Sequence, residues 1–316
     1  MVAPTTIITK GVHVPSLTFF KDGDDQPIDY DVQKQHFRFL FDSGVHGIVI
    51  GGTNGESVAL TLDEKIKLVN LAIQVRSECG GSAESINIGV GASGQSTTET
   101  LNNLDAIASQ TKADYALLLP ASFFHYALTL DDVMNYFNFV ADRSRVPIIL
   151  YNYPAVTAGI DMDVHTIALL AEHPNIVGVK LTCGTIMKAV RLCGKFSHDK
   201  FAVFAGQSDW LYPALAVGAS GTITGVANLF PRTIVKLYYL YMSGKHEEAL
   251  KLQREVAECE VAFAKGGISG TKYIVAANLG YPTAAIRTRG PLPSIKTEER
   301  KEFMHGKMEI LAKYEQ

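Results

Sequence analysis

Val146-Pro147-Ile148-Ile149-Leu150-Tyr151-Asn152 and Asn175-Ile176-Val177-Gly178-Val179-Lys180-Leu181 are two short apolar runs, rich in β-branched residues, separated by enough chain for one helix. Continuous apolar runs of this length read as strands covered on both faces, the signature of a parallel sheet with helical crossovers. Outward from this pair, similar runs occupy 12–14, 46–50, 86–90, 115–119, 201–204 and 221–224; with 147–151 and 176–181 they make eight. The segments between them open on helix starts that put acids at the positive end of the helix dipole: Thr61-Leu62-Asp63-Glu64, Ser96-Thr97-Thr98-Glu99 and Thr129-Leu130-Asp131-Asp132. Eight alternations predict an α/β chain closed into a (β/α)8 TIM barrel. An open doubly wound sheet is the rival, because periodicity does not say whether run eight pairs with run one.

From about residue 245 the strand pattern stops and helical patterns follow over 247–264 and 298–314. Gly266-Gly267-Ile268-Ser269-Gly270 and Gly290-Pro291-Leu292-Pro293 read as flexible or extended joints within them. The expected organisation is a catalytic barrel over 1–240 and a C-terminal helical extension over 241–316, packed on the barrel. A single large unit suits 316 residues, since α/β barrels routinely reach about 250.

A hydrophobic fraction of 47% with 19% charged residues is ordinary for a globular chain with a sizeable core. The net charge of -3, from 29 basic and 32 acidic residues without a block of either sign, gives no footprint for nucleic acid. Cys79, Cys183, Cys193 and Cys259 show no Cys-x-x-Cys spacing and read neither as a disulfide framework nor as a zinc site. The start Met1-Val2-Ala3-Pro4-Thr5-Thr6 lacks the basic and apolar pattern of a signal peptide, and no apolar run nears the ~18 residues of a membrane span. A cytoplasmic protein is the expectation.

Active sites of barrels are built at the carboxyl ends of the strands. Lys180 falls there, in a run covered on both faces, where desolvation favours the neutral amine that attack on a ketone requires. The competing reading is a lysine snorkelling out of the strand end. Gly178 shares its face, two residues away, where a missing side chain would leave room for a ligand. Tyr151 ends the preceding run; its phenol could shuttle protons, or simply cap the core. After run two, Gly51-Gly52-Thr53-Asn54-Gly55-Glu56-Ser57 puts flexible backbone, a hydroxyl and an amide before a helix, where N–H groups can hold a carboxylate, although many βα turns look alike.

Gly89-Val90-Gly91-Ala92-Ser93-Gly94 fits a dinucleotide fingerprint, but Asp114 begins its strand instead of ending it, so a nicotinamide site is disfavoured. The nine histidines form no H-x-x-x-H pair, which leaves a metal-dependent aldolase little support; His13 and His46 read as core residues. A G-x-S-x-G nucleophile elbow is absent from the sequence.

These residues together resemble the dihydrodipicolinate synthase and N-acetylneuraminate lyase family of Schiff-base lyases. The marks are Gly52-Thr53-Asn54-Gly55-Glu56-Ser57, Leu150-Tyr151-Asn152-Tyr153-Pro154, Gly178-Val179-Lys180, and Phe204-Ala205-Gly206 before Gly221-Thr222-Ile223-Thr224-Gly225. The resemblance implies a homotetrameric barrel without metal or cofactor. It makes Lys180 the Schiff-base lysine and Tyr151 the proton shuttle, with Thr53 and Asn54 holding the substrate carboxylate and Gly52, Gly206 and Ile223 lining the pocket. Two departures narrow the function. Val156 stands where the synthases carry an arginine for the acceptor's second carboxylate, which favours an uncharged, hydroxylated aldehyde. In Pro120-Ala121-Ser122-Phe123-Phe124-His125-Tyr126, Phe124 stands where relatives carry a relay tyrosine, making His125 and Tyr126 candidate substitutes.

The Thr-Asn pair is similar to that of fungal-type 2-keto-3-deoxy-hexonate aldolases and 4-hydroxy-2-oxoglutarate aldolases. The leading expectation is a class I aldolase that cleaves a 2-keto-3-deoxy sugar acid, such as L-threo-3-deoxy-hexulosonate, to pyruvate and glyceraldehyde. The alternatives are 4-hydroxy-2-oxoglutarate aldolase, dihydrodipicolinate synthase, or an idle barrel that senses 2-oxo acids.

Overall fold

The computed structural model describes residues 8–295 and 297–315. The amino-terminal stretch 1–6 discussed above lies outside the described residues. Eight strands close into one barrel in chain order: β1 Gly11–Pro15, β2 Gly47–Ile50, β3 Asn87–Gly91, β4 Tyr115–Leu118, β5 Ile148–Asn152, β6 Ile176–Leu181, β7 Ala202–Ala205 and β8 Gly221–Ile223. Every neighbouring pair is parallel, and the ends differ from the sequence reading by at most one residue. The closure that periodicity left open is made by β1 against β8, with Gly11 opposite Gly221 and His13 opposite Ile223. The open-sheet alternative is thereby excluded.

The helices α1 Tyr30–Asp42, α2 Leu62–Cys79, α3 Thr97–Gln110, α4 Leu130–Ala141, α5 Val164–Leu170, α6 Ile186–Lys195, α7 Leu211–Ala216 and α8 Pro231–Met242 follow the strands in turn. The expected starts are real caps. Thr61 and Thr129 form reciprocal capping boxes with Glu64 and Asp132, and Ser96 accepts from the Glu99 amide, each contributing about 1 kcal/mol to its helix.

Side-chain alternation along the strands creates two cores. Ile48, Leu118, Leu150 and Val179 face the helices, whereas Val49, Leu117, Ile149, Phe204 and Ile223 fill the barrel interior. Two rings occupy the amino-terminal end of that interior. A Cβ on Gly47 would lie 2.1 Å from His13, and one on Gly89 2.4 Å from the Tyr115 ring, so the glycines make the room the rings need. His13 is fully buried between the Tyr115 hydroxyl at 3.1 Å and the Thr9 carbonyl at 2.8 Å, and burial pushes its pKa down to about 4. It is the neutral core histidine expected. His46 precedes β2, half-buried, and hydrogen-bonds the Val12 amide and the Tyr239 hydroxyl.

The C-terminal helices are α9 His246–Asn278 and α10 Glu298–Ala312. The joint read at 266–270 is present: within α9 two helical stretches meet at Gly267, whose φ of 61° and ψ of −162° are not helical, and a Cβ on Gly266 or Gly270 would lie 2.8 or 2.7 Å from Met304 of α10. Those glycines serve close helix packing. No helix among the described residues is long and apolar enough to cross a membrane.

Candidate active site

Pairing of β5 with β6 sets Tyr151 beside Lys180, both facing the barrel interior. The Lys180 ammonium donates to the Tyr151 hydroxyl at 3.2 Å and lies 4.3 Å from the centre of its ring. Lys180 is 3% exposed and has no carboxylate within ion-pair distance among the described residues. Desolvation pulls its pKa down from 10.5 to about 7, opposed only by the more distant charge of Glu260. At neutral pH about half of these amines are unprotonated and nucleophilic. Lys180 is therefore buried, and the snorkelling alternative fails.

Gly178 shares the inward face, but the space beside it is not free. A Cβ there would lie 2.5 Å from the Ala202 carbonyl of β7, so the glycine permits close strand approach instead of leaving room for a ligand. The register also shifts between Ile148 and Ile149, where β6 carries one extra residue.

The β2–α2 loop brings Thr53 to the same point: its hydroxyl stands 3.4 Å from that of Tyr151. Burial raises the Tyr151 pKa to about 12, so the resting phenol is protonated. Tyr153 stacks on Tyr151 at 5.7 Å, and Asn152, wholly buried, fixes the following loop through the Asp161 carboxylate at 2.7 Å and the Met162 amide at 3.0 Å. Asn54 turns toward the loop after β8, where a Cβ on Gly225 would lie 2.8 Å from its amide nitrogen. Ile223 packs in the interior with Tyr151 and Phe204. A Cβ on Gly206 would meet the Thr182 hydroxyl at 2.0 Å and the Leu181 carbonyl at 2.6 Å.

Thr182 is a residue the sequence reading missed. Two positions after Lys180, its hydroxyl is buried in the space that Gly206 leaves for it, makes no hydrogen bond of regular geometry, and stands close enough to Tyr151 to lower the phenol's pKa. A hydroxyl so placed can support the Tyr151 phenol and take a further partner. The available signal was the period-two alternation that puts residue 182 on the face of residue 180.

A cleft of about 870 Å³ opens over this centre, lined by Gly52, Thr53, Tyr151, Val156 and the C-terminal residues Ile268 and Arg289 among others. Lys180 does not line it and meets it through Tyr151. Lys65 of α2 also lines it, its amine on the Ser57 hydroxyl at 3.0 Å and its pKa pushed down to about 8 by burial. His125 and Tyr126 lie outside this group. Tyr126 is 77% exposed, and His125 packs on it and donates its Nδ1–H to the Ser122 carbonyl of the same loop. The glycines of Gly89–Gly94 are explained by packing on Tyr115, Gly51 and Glu99, and Asp114 caps the Ile88 amide at 2.7 Å.

A closed barrel that buries a desolvated lysine against a phenol under its cleft defines the class, a (β/α)8 TIM barrel. The chain belongs to the dihydrodipicolinate synthetase family, whose model matches residues 9–308. It is similar to a Coccidioides immitis protein named as a mitochondrial 4-hydroxy-2-oxoglutarate aldolase, 39% identical over 84% of this chain and 82% of the relative. It is also similar to the L-threo-3-deoxy-hexylosonate aldolase of Aspergillus niger, 32% identical over 97% of both chains. Among solved structures, a dihydrodipicolinate synthase family protein from Coccidioides immitis superposes with a TM-score of 0.87 at 34% identity, covering 100% of this chain and 99% of the other. Family and relatives make the chain an aldolase, a carbon–carbon lyase.

Proposed function

We propose that this aldolase cleaves a 2-keto-3-deoxy sugar acid of the L-threo-3-deoxy-hexulosonate type into pyruvate and glyceraldehyde through an imine on Lys180. The observation that carries the reading is the desolvated Lys180 amine 3.2 Å from the Tyr151 hydroxyl. The neutral amine adds to the C2 carbonyl, and the carbinolamine loses its oxygen as water when Tyr151 donates its proton. The resulting iminium withdraws electrons from C3. The Tyr151 phenolate takes the C4 hydroxyl proton, the C3–C4 bond breaks, and the aldehyde leaves an enamine. Tyr151 then protonates C3, and water returns pyruvate and the free lysine. Thr53, with the amides of its loop, receives the substrate carboxylate, and the reaction needs no metal or cofactor. The Thr182 hydroxyl beside Tyr151 suits a substrate hydroxyl, and Val156 on the cleft wall suits an uncharged aldehyde.

The second reading, 4-hydroxy-2-oxoglutarate cleavage, is favoured by the 39% identical relative and by Lys65, a cleft cation that among the described residues hydrogen-bonds the Ser57 hydroxyl and no carboxylate. Incubation of the enzyme with each substrate, with the released aldehyde identified by mass, separates them: glyceraldehyde supports the first and a two-carbon oxo acid the second.

We further infer a homotetramer, to which the exposed Phe123, Phe124 and Tyr126 beside the cleft offer apolar surface. Light scattering tests it. The cytoplasmic expectation stands beside relatives named mitochondrial, and cell fractionation decides between the compartments.

A further inference from the structure

Glu56 occupies an unusual position. It lies in the loop that carries Thr53, in the left-handed region (φ 57°, ψ 43°), where a non-glycine residue persists only if its surroundings hold it. It is 4% exposed. One carboxylate oxygen accepts from the Lys272 ammonium of α9 at 2.7 Å, and the other from the Arg289 amide at 2.8 Å. Lys272 is itself fully buried, 4.3 Å from the centre of the Phe20 ring. Arg289 stacks on the same ring at 4.4 Å. Its guanidinium grips Glu64 through two bonds of 2.9 Å, and the Ala59 and Gln26 carbonyls at 2.8 and 2.7 Å. Two cations from the C-terminal segment thus tie down the whole β2–α2 connection.

The loop is closely confined. Gly55 has no room for a Cβ, which would lie 2.8 Å from the Ser16 carbonyl, and its own carbonyl accepts from Thr18 at 2.9 Å. With Glu56 fixed next to it, the remaining freedom of Thr53, three residues away, is small. A buried ion pair is weak evidence for stability, since an apolar pair of similar volume often serves as well. Its defined geometry suits a task of orientation.

We propose that the C-terminal segment is a working part of the catalytic centre: Lys272 and Arg289 hold Glu56, and Glu56 sets the loop so that the Thr53 hydroxyl meets Tyr151. Glu56 and Lys272 are positioning residues. The proposal rests on the aldolase reading above, in which Tyr151 moves the protons and Thr53 accompanies it.

The test is a thermodynamic cycle on the full-length chain. Glu56→Gln with Lys272→Met removes both charges together, so neither is left buried alone, and the pair is made in the native and in the Thr53→Val background. The expected result is a loss of about tenfold in kcat in the native background and under twofold in the Thr53→Val background, because the paired change acts through Thr53. Equal losses in both backgrounds would overturn the proposal, since a purely structural role does not depend on residue 53. Should the paired variant fail to fold, the near-isosteric Glu56→Gln alone goes through the same cycle with the same criterion. Trapping of pyruvate on Lys180 by borohydride, measured alongside, separates the two claims: adduct with equal losses sinks only the clamp, and no adduct on the native enzyme sinks the aldolase reading beneath it.

Discussion

Replacing Lys180 by methionine should abolish activity and stabilise the protein, by an amount that falls as pH rises. The amine's pKa drops from 10.5 to about 7 on folding. At about 1.4 kcal/mol per pH unit this is a cost of roughly 5 kcal/mol to the folded state. The sign follows from proton counts. Between pH 7 and 10.5 the unfolded chain holds the proton and the folded chain does not, so stability increases with pH across that window. The cost is full below pH 7 and gone above 10.5. Methionine keeps the volume without the charge, so the advantage of Lys180→Met should be about 2 kcal/mol larger at pH 6 than at pH 8.5. Urea unfolding of both proteins at the two pH values measures this. An advantage that does not change with pH would show that the amine is not desolvated, and the activation argument would lose its basis.

Tyr151→Phe should lower kcat by about a hundredfold or more while leaving a slow borohydride-trapped adduct, since the nucleophile survives and the proton carrier does not; steady-state and trapping assays check both halves. Thr182→Val removes a buried hydroxyl that makes no regular hydrogen bond but touches Tyr151, so thermal scans should show stability moved by no more than about 1 kcal/mol while kcat/KM for the sugar acid falls. Val156→Arg, at a half-exposed position on the cleft wall, should raise kcat/KM for a carboxylate-bearing aldehyde in the condensation direction by about tenfold relative to glyceraldehyde, measured by competition. Gly206→Ala would set a Cβ 2.6 Å from the Leu181 carbonyl and should cost about 3 kcal/mol, read as loss of soluble protein or a lowered unfolding midpoint.

The barrel was legible because each strand is a short apolar run bounded by turn residues, a pattern that depends only on near neighbours. Closure was not, because β1 and β8 lie some two hundred residues apart and no local signal records their pairing. Lys180 and Tyr151 could be found as polar groups at the ends of apolar strands. Thr182 escaped because its importance lies in its closeness to Tyr151 and Gly206, which only three-dimensional neighbours reveal. Glu56 was quoted within its motif but given no role, since its partners lie 216 and 233 residues on. Lys272 carried a fainter sign: it shares a helix face with the buried Val275 and Ala276, an unusual site for a lysine without a partner acid. Gly178 shows the opposite error, for a glycine facing inward can admit a neighbouring strand as well as a ligand.

The most direct test of the account is the intact mass of the protein after incubation with pyruvate and borohydride, with Lys180→Ala in parallel. The account predicts one reduced pyruvate on the native chain, mapped to Lys180, and none on the variant. A native chain of unchanged mass, or an adduct that persists in Lys180→Ala, would contradict the imine mechanism.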